Sequence, residues 1–121
     1  MIRELPESEG AVIGCEITGK VSLEQEKEWI EKIDKVIEEH GKVRVLVVLG
    51  DEASWGVKAG IEDLKWIVNN MKKLGKIAVV SENHIWKWLI ALDSPIAKLV
   101  GINEKYFELS DIDDAWKWLR E

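Results

Sequence analysis

The apolar positions of this chain change period several times, and Gly or Pro stands at most of the changes. Across residues 11–18, Ile13, Cys15 and Ile17 share one side while Gly14, Glu16 and Thr18 share the other, the alternation of a half-covered strand. Residues 2–5 form its expected hairpin partner, with Pro6 and Gly10 in the turn. Ser22 followed by Gln25 has capping-box spacing, in which the hydroxyl accepts from an orphan amide and the Gln side chain reaches back. A helix is expected from there, with Leu23, Trp29, Ile30, Ile33, Val36 and Ile37 on one stripe and Gly41 as its left-handed stop.

Residues 43–49 are nearly continuous in β-branched and apolar side chains, as a strand with both faces buried requires, so this strand is expected to be central. A helix over about residues 57–74 and a second buried strand over 76–80 complete a right-handed βαβ unit. A third helix is predicted over about residues 83–92, stopped by Ser94-Pro95. A short strand over 106–109 and a closing helix over 111–120 follow, with Ser110 as its expected cap.

Tryptophan is the most informative residue, because seven of these large rings in 121 residues are hard to hide together. On the second helix, Ile61, Leu64, Val68 and Met71 make the expected buried stripe, which turns Trp66 outward beside Glu62 and Lys73. On the third, Ile85, Trp88, Leu89 and Leu92 face the core, while Trp86 and Ile90 form a second ridge. On the last, Ile112, Ala115, Trp116 and Leu119 face inward and Trp118 lies at an edge. Trp66, Trp86 and Ile90 are therefore the candidates for a partner or subunit interface. Two other readings stay open: loops fold over these rings, or the indoles, Trp55 and Trp86 at the mouth, line a pocket for a small apolar ligand.

Composition narrows the partners. A chain with 46% hydrophobic residues makes one ordinary domain. Seventeen Lys and Arg against 23 Asp and Glu leave a net charge of -6, which argues against nucleic acid and anionic lipid surfaces. No apolar run is long enough to span a membrane, and the first residues lack the apolar core of a signal peptide. The single Cys15 forms no internal disulfide and suits the cytoplasm; on the apolar side of its strand it is expected to pack in the core. His40 and His84 lack metal-ligand spacing, and Gly56 and Gly60 lack the Lys-Ser/Thr of a phosphate-binding loop, so neither a metal nor another cofactor is expected. The abundance of Lys and Glu hints at a heat-adapted source.

Several short segments, in order, resemble one known family: Leu5-Pro6-Glu7-Ser8 before Gly10, Gly19-Lys20, His40-Gly41-Lys42-Val43-Arg44 and Asp63-Leu64-Lys65. The series continues through Lys76-Ile77-Ala78-Val79-Val80, Trp86 and Trp88, Tyr106-Phe107, and Ala115 with Trp118-Leu119. From end to end the chain resembles the SpoIIAA-like proteins, a branch related to the STAS fold of anti-sigma-factor antagonists and also likened to the Sec14 lipid-carrier fold. The resemblance implies a single α/β domain over residues 1–121, with a mixed sheet of four or five strands and about four helices, and no enzymatic activity. The expected role is a cytoplasmic regulatory or interaction module that binds another protein, or itself as a homo-oligomer, through the surface carrying Trp66, Trp86 and Ile90; carriage of a small lipid-like ligand, which the Sec14 likeness suggests, is the alternative.

Antagonists of the STAS type are switched by phosphorylation of a serine in an Asp-Ser-(Ser/Thr)-Gly turn between the third strand and second helix. The matching place here reads Asp51-Glu52-Ala53-Ser54-Trp55-Gly56, so Ser54 is the carry-over candidate, in a turn that departs from that pattern. Residue chemistry gives Ser54 a simpler expected task, capping the helix that follows.

Overall fold

In the computed structural model, which describes residues 1–50, 52–70, 72–82 and 103–121, five strands form one mixed sheet in the order β1-β2-β4-β6-β7. Strand β1 (Ile2–Glu4) runs antiparallel to β2 (Val12–Ile17), joined through the Pro6–Gly10 turn. Next to β2, strands β4 (Val43–Leu49), β6 (Leu74–Ser81) and β7 (Asn103–Glu108) are all parallel. A second ribbon pairs two short segments the sequence pattern did not reveal, β3 (Lys20–Val21) and β5 (Ser54–Trp55).

Helix α1 (Leu23–His40) has both halves of the capping box, with the Gln25 amide donating to Ser22 Oγ at 3.2 Å and Ser22 N donating to Gln25 Oε1 at 3.1 Å. It stops at Gly41, whose φ of 80° is the left-handed geometry that glycine adopts without strain. Helix α2 (Val57–Asn70) links β4 to β6, four residues shorter than the periodicity suggested. The closing helix, α3 (Ile112–Arg120), is entered through a 3-10 turn, Leu109–Asp111. Ser110 therefore sits inside that turn and does not cap the helix. The predicted third helix, with Trp86, Trp88 and Ile90, lies outside the described residues.

Each face of the sheet carries its own core. Ile13, Cys15, Ile17, Val43 and Val45 pack with Trp29, Ile33 and Ile37 of α1 and Ala59 of α2. On the other face Val12, Leu46, Val48, Ala78 and Val80 pack with Ala115, Trp116 and Leu119 of α3. Strand β4 supplies side chains to both clusters, which is why its sequence is continuous in apolar residues rather than alternating. Two successive parallel crossovers in one direction place α1 and α2 together on one face, as right-handed connections require.

Close packing sets two details. A Cβ on Gly14 would stand 2.5 Å from Trp116 Cη2, so the indole rests directly on bare backbone. Near the start of β6, Lys76 Nζ donates to Trp118 O at 2.9 Å and lies 4.9 Å from the Trp118 ring centroid, placing a cation at the C-terminal end of α3 where free carbonyls favour it. Trp118 is half-buried against Phe107, at the edge position its helical angle implied.

Candidate functional site

Strand β4 ends at Leu49 and the chain turns through Gly50 into β5, where Ser54 N donates to Gly19 O at 3.0 Å and Gly56 N to Val21 O at 3.1 Å. The first turn of α2 closes with Gly60 N donating to Gly56 O at 2.9 Å, so Gly56 is the cap residue. Ser54 stands two residues too early for that role; it is exposed on β5, with its backbone tied into the ribbon. Its neighbour Asp51 lies outside the described residues.

Trp55 leads into the interior. The ring packs against the α1-side core, and its Nε1–H donates to Glu26 Oε2 at 3.3 Å. Glu26, from the first turn of α1, is only 1% exposed and faces Asp63 of α2. Burial, then the hydrogen bond and charge of Asp63, push the Glu26 carboxyl from 4.5 up to about 9, against the opposing pull of the Trp55 donor. At neutral pH Glu26 is therefore a protonated acid. Cys15 lies on the same side of the sheet, and burial, with the charges of Glu26 and Asp63 adding to it, drives its thiol far upward. A thiol so held is an inert core residue, as its place in the strand suggested.

A second link holds α2 to α1, since Trp66 Nε1–H donates to Asp34 Oδ1 at 2.8 Å and the ring packs on the same core. Here the angular sorting of the sequence is reversed. Trp66, expected outside, is half-buried, whereas Ile61 and Val68, expected inside, are each 49% exposed, and Val57 is 81% exposed. The buried side of α2 is set by Ala59, Asp63 and Trp66, at i, i+4 and i+7. Polar anchors decided the orientation, because the buried Glu26 acid needs Asp63 beside it and an indole reaches a partner on α1. The side chain of Leu64, all of Met71, and the interface candidates Trp86 and Ile90 lie outside the described residues.

The outer side of α2 is thus an apolar ridge of Val57, Ile61 and Val68, bordered by exposed Lys58 and Lys65. Elsewhere, a depression of about 280 Å³ lies between the β1–β2 turn and α1, with Glu4, Glu9, Lys32 and Lys35 among its lining residues. Lys32 and Glu4 approach within 3.7 Å at its rim, Val12, Ile13 and Val36 also line it, and Trp55 is not part of it. Among the described residues no group of three or more His, Cys, Asp or Glu is placed to hold a metal. No helix among them is long and apolar enough to cross a membrane.

The SpoIIAA-like family model matches residues 12–120. The chain belongs to the SpoIIAA-like family. Its fold agrees: the crystal structure of an uncharacterized protein from the DUF3478 family, from Shewanella loihica PV-4, has a SpoIIAA-like fold and superposes with a TM-score of 0.68. That likeness covers 98% of this chain and 93% of the other at 19% sequence identity. No curated protein matches this SpoIIAA-like chain.

Proposed function

We propose that this SpoIIAA-like chain is a non-enzymatic regulatory module that works in the cytoplasm by binding another protein, with the outer face of α2 as its contact surface. The observation that carries this reading is the orientation of α2: its polar anchors are turned inward while Val57, Ile61 and Val68 meet solvent along one line. Exposed apolar side chains gathered on one face of one element mark a contact surface, whereas scattered ones need no explanation. The titratable groups nearest the core support the same reading, since Cys15 and the Glu26 acid are both held in uncharged forms without access to solvent.

The test is site-specific photo-crosslinking in cells that carry the protein, with the crosslinking residue placed at Ile61 or at Glu31 on the outer face of α1. The expected result is a discrete protein adduct from position 61 and none from position 31. Absence of any adduct at 61, together with a strong one at 31, overturns the choice of surface.

A further inference from the structure

The ridge on α2 has a charged border on one side only. At 100° per residue, Val57, Ile61 and Val68 fall within about 40° of one another, the seam of a short heptad pattern. Lys58 and Lys65 are seven residues apart along one flank. Both lysines are exposed, and neither has an ion-pair partner among the described residues. A row of unpaired cations beside an apolar seam is a specific feature on a chain whose net charge is -6.

We infer that this face receives an acidic amphipathic helix of another protein, its apolar side on Val57, Ile61 and Val68 and its carboxylates along Lys58 and Lys65. This rests on the reading of the chain as an interaction module and names the chemistry of the partner. Charge decides between occupants. A second copy packed antiparallel about a two-fold axis would set lysine row against lysine row, a like-charge contact that disfavours pairing. Packed parallel, the lysines would face Gly60 and Ile67, which offer no charge. An acidic helix satisfies both the seam and its border, and the 14 residues of α2 extend about 21 Å, room for two heptads of the partner.

The test is selection from a displayed library of helical peptides with a fixed apolar heptad seam and randomised flanking positions, using the full chain as target. Enrichment of Glu and Asp on one flank is expected. The double variant Lys58→Glu with Lys65→Glu should lose affinity for the selected peptides by about tenfold or more and select Lys and Arg in their place. Val68→Glu should remove binding of both kinds of peptide. Binders that map to the ridge without any acidic preference overturn the partner chemistry while leaving the ridge as the contact surface. Binders that ignore Val68→Glu, or no binders at all, overturn this inference. A ridge-dependent dimer in solution scattering assigns the face to a second copy, which also overturns it.

Discussion

The carboxyl of Glu26 on α1 faces that of Asp63 on α2 inside the protein, with the Trp55 indole donating to the same Glu26 from β5. Burial and the neighbouring Asp63 keep the Glu26 carboxyl protonated at neutral pH, so this part of the contact between the two helices depends on a proton, while Trp66 and the apolar core join them independently of it.

This gives stability a pH dependence of defined sign. The folded-state value for Glu26, about 9, lies above the ordinary 4.5, so folding retains a proton that the unfolded chain releases. The stabilisation is fully present below about 4.5, declines as pH rises, and is gone above about 9. Thermal melting should therefore show Tm falling from neutral toward alkaline pH. Glu26→Gln, which keeps an acceptor for Trp55 and cannot ionise, should flatten that fall. Asp63→Asn should make it shallower without abolishing it, because burial is the leading cause of the shift and remains. An unchanged slope in both variants would show that other groups set the alkaline limit.

Trp66 separates a structural role from an interface role. Its indole bonds to Asp34 at 2.8 Å and its ring packs on the α1-side core. Trp66→Phe keeps most of the ring and removes the donor, so urea unfolding should show a loss of about 1 kcal/mol. Trp66→Ala also vacates packed volume and should cost more, about 2 kcal/mol or above, since the site is only half-buried. Equal stability of wild type and both variants would mean the ring contributes no cohesion between α1 and α2.

The sheet was the most legible part of the sequence, and the reason is local. The period-2 run at 11–18 and the continuous apolar runs at 43–49 and 76–80 coincide with β2, β4 and β6, and Ser22, Gln25 and Gly41 bound α1 through chemistry within a few residues. The ribbon of β3 and β5 escaped because two-residue strands carry no period. Ser110 and Ser54 were misplaced as caps because each end of a helix is set by backbone geometry: a 3-10 turn before α3 and a glycine before α2. The orientation of α2 failed for a deeper reason. Hydrophobic sorting ranks Ile61 and Val68 above Asp63, but a buried acid on a different helix made Asp63 an inward residue, and that pairing spans 37 positions of sequence, from 26 to 63. The one local signal was the spacing of Ala59, Asp63 and Trp66 on a single line.

Gly14 provides a test of packing on the opposite face. Its backbone carries the Trp116 ring so closely that an added methyl would meet Cη2 at 2.5 Å and Cζ2 at 2.9 Å. Gly14→Ala should cost about 1–3 kcal/mol in denaturant unfolding, as overpacking in a dense core does. The double variant Gly14→Ala with Trp116→Phe should recover part of that loss, because the smaller ring leaves room for the methyl. Additive losses in the double variant would place the strain elsewhere.

The ridge itself makes the sharpest prediction, because the two possible orientations of α2 give opposite results. Were Ile61 and Val68 core residues, a glutamate at either would bury an unpaired charge and unfold a domain of this size. At 49% exposure each, with Lys65 between them on the same outer side, Ile61→Glu and Val68→Glu should leave stability within about 0.5 kcal/mol of wild type. Ala59, 1% exposed against the α1-side core, is the control: Ala59→Leu adds volume where there is none to spare and should cost about 1–3 kcal/mol. Urea midpoints at constant slope for the three variants check both halves at once. Unfolding of the glutamate variants with a tolerant Ala59→Leu would return α2 to the orientation its apolar stripe suggests and remove the contact surface altogether.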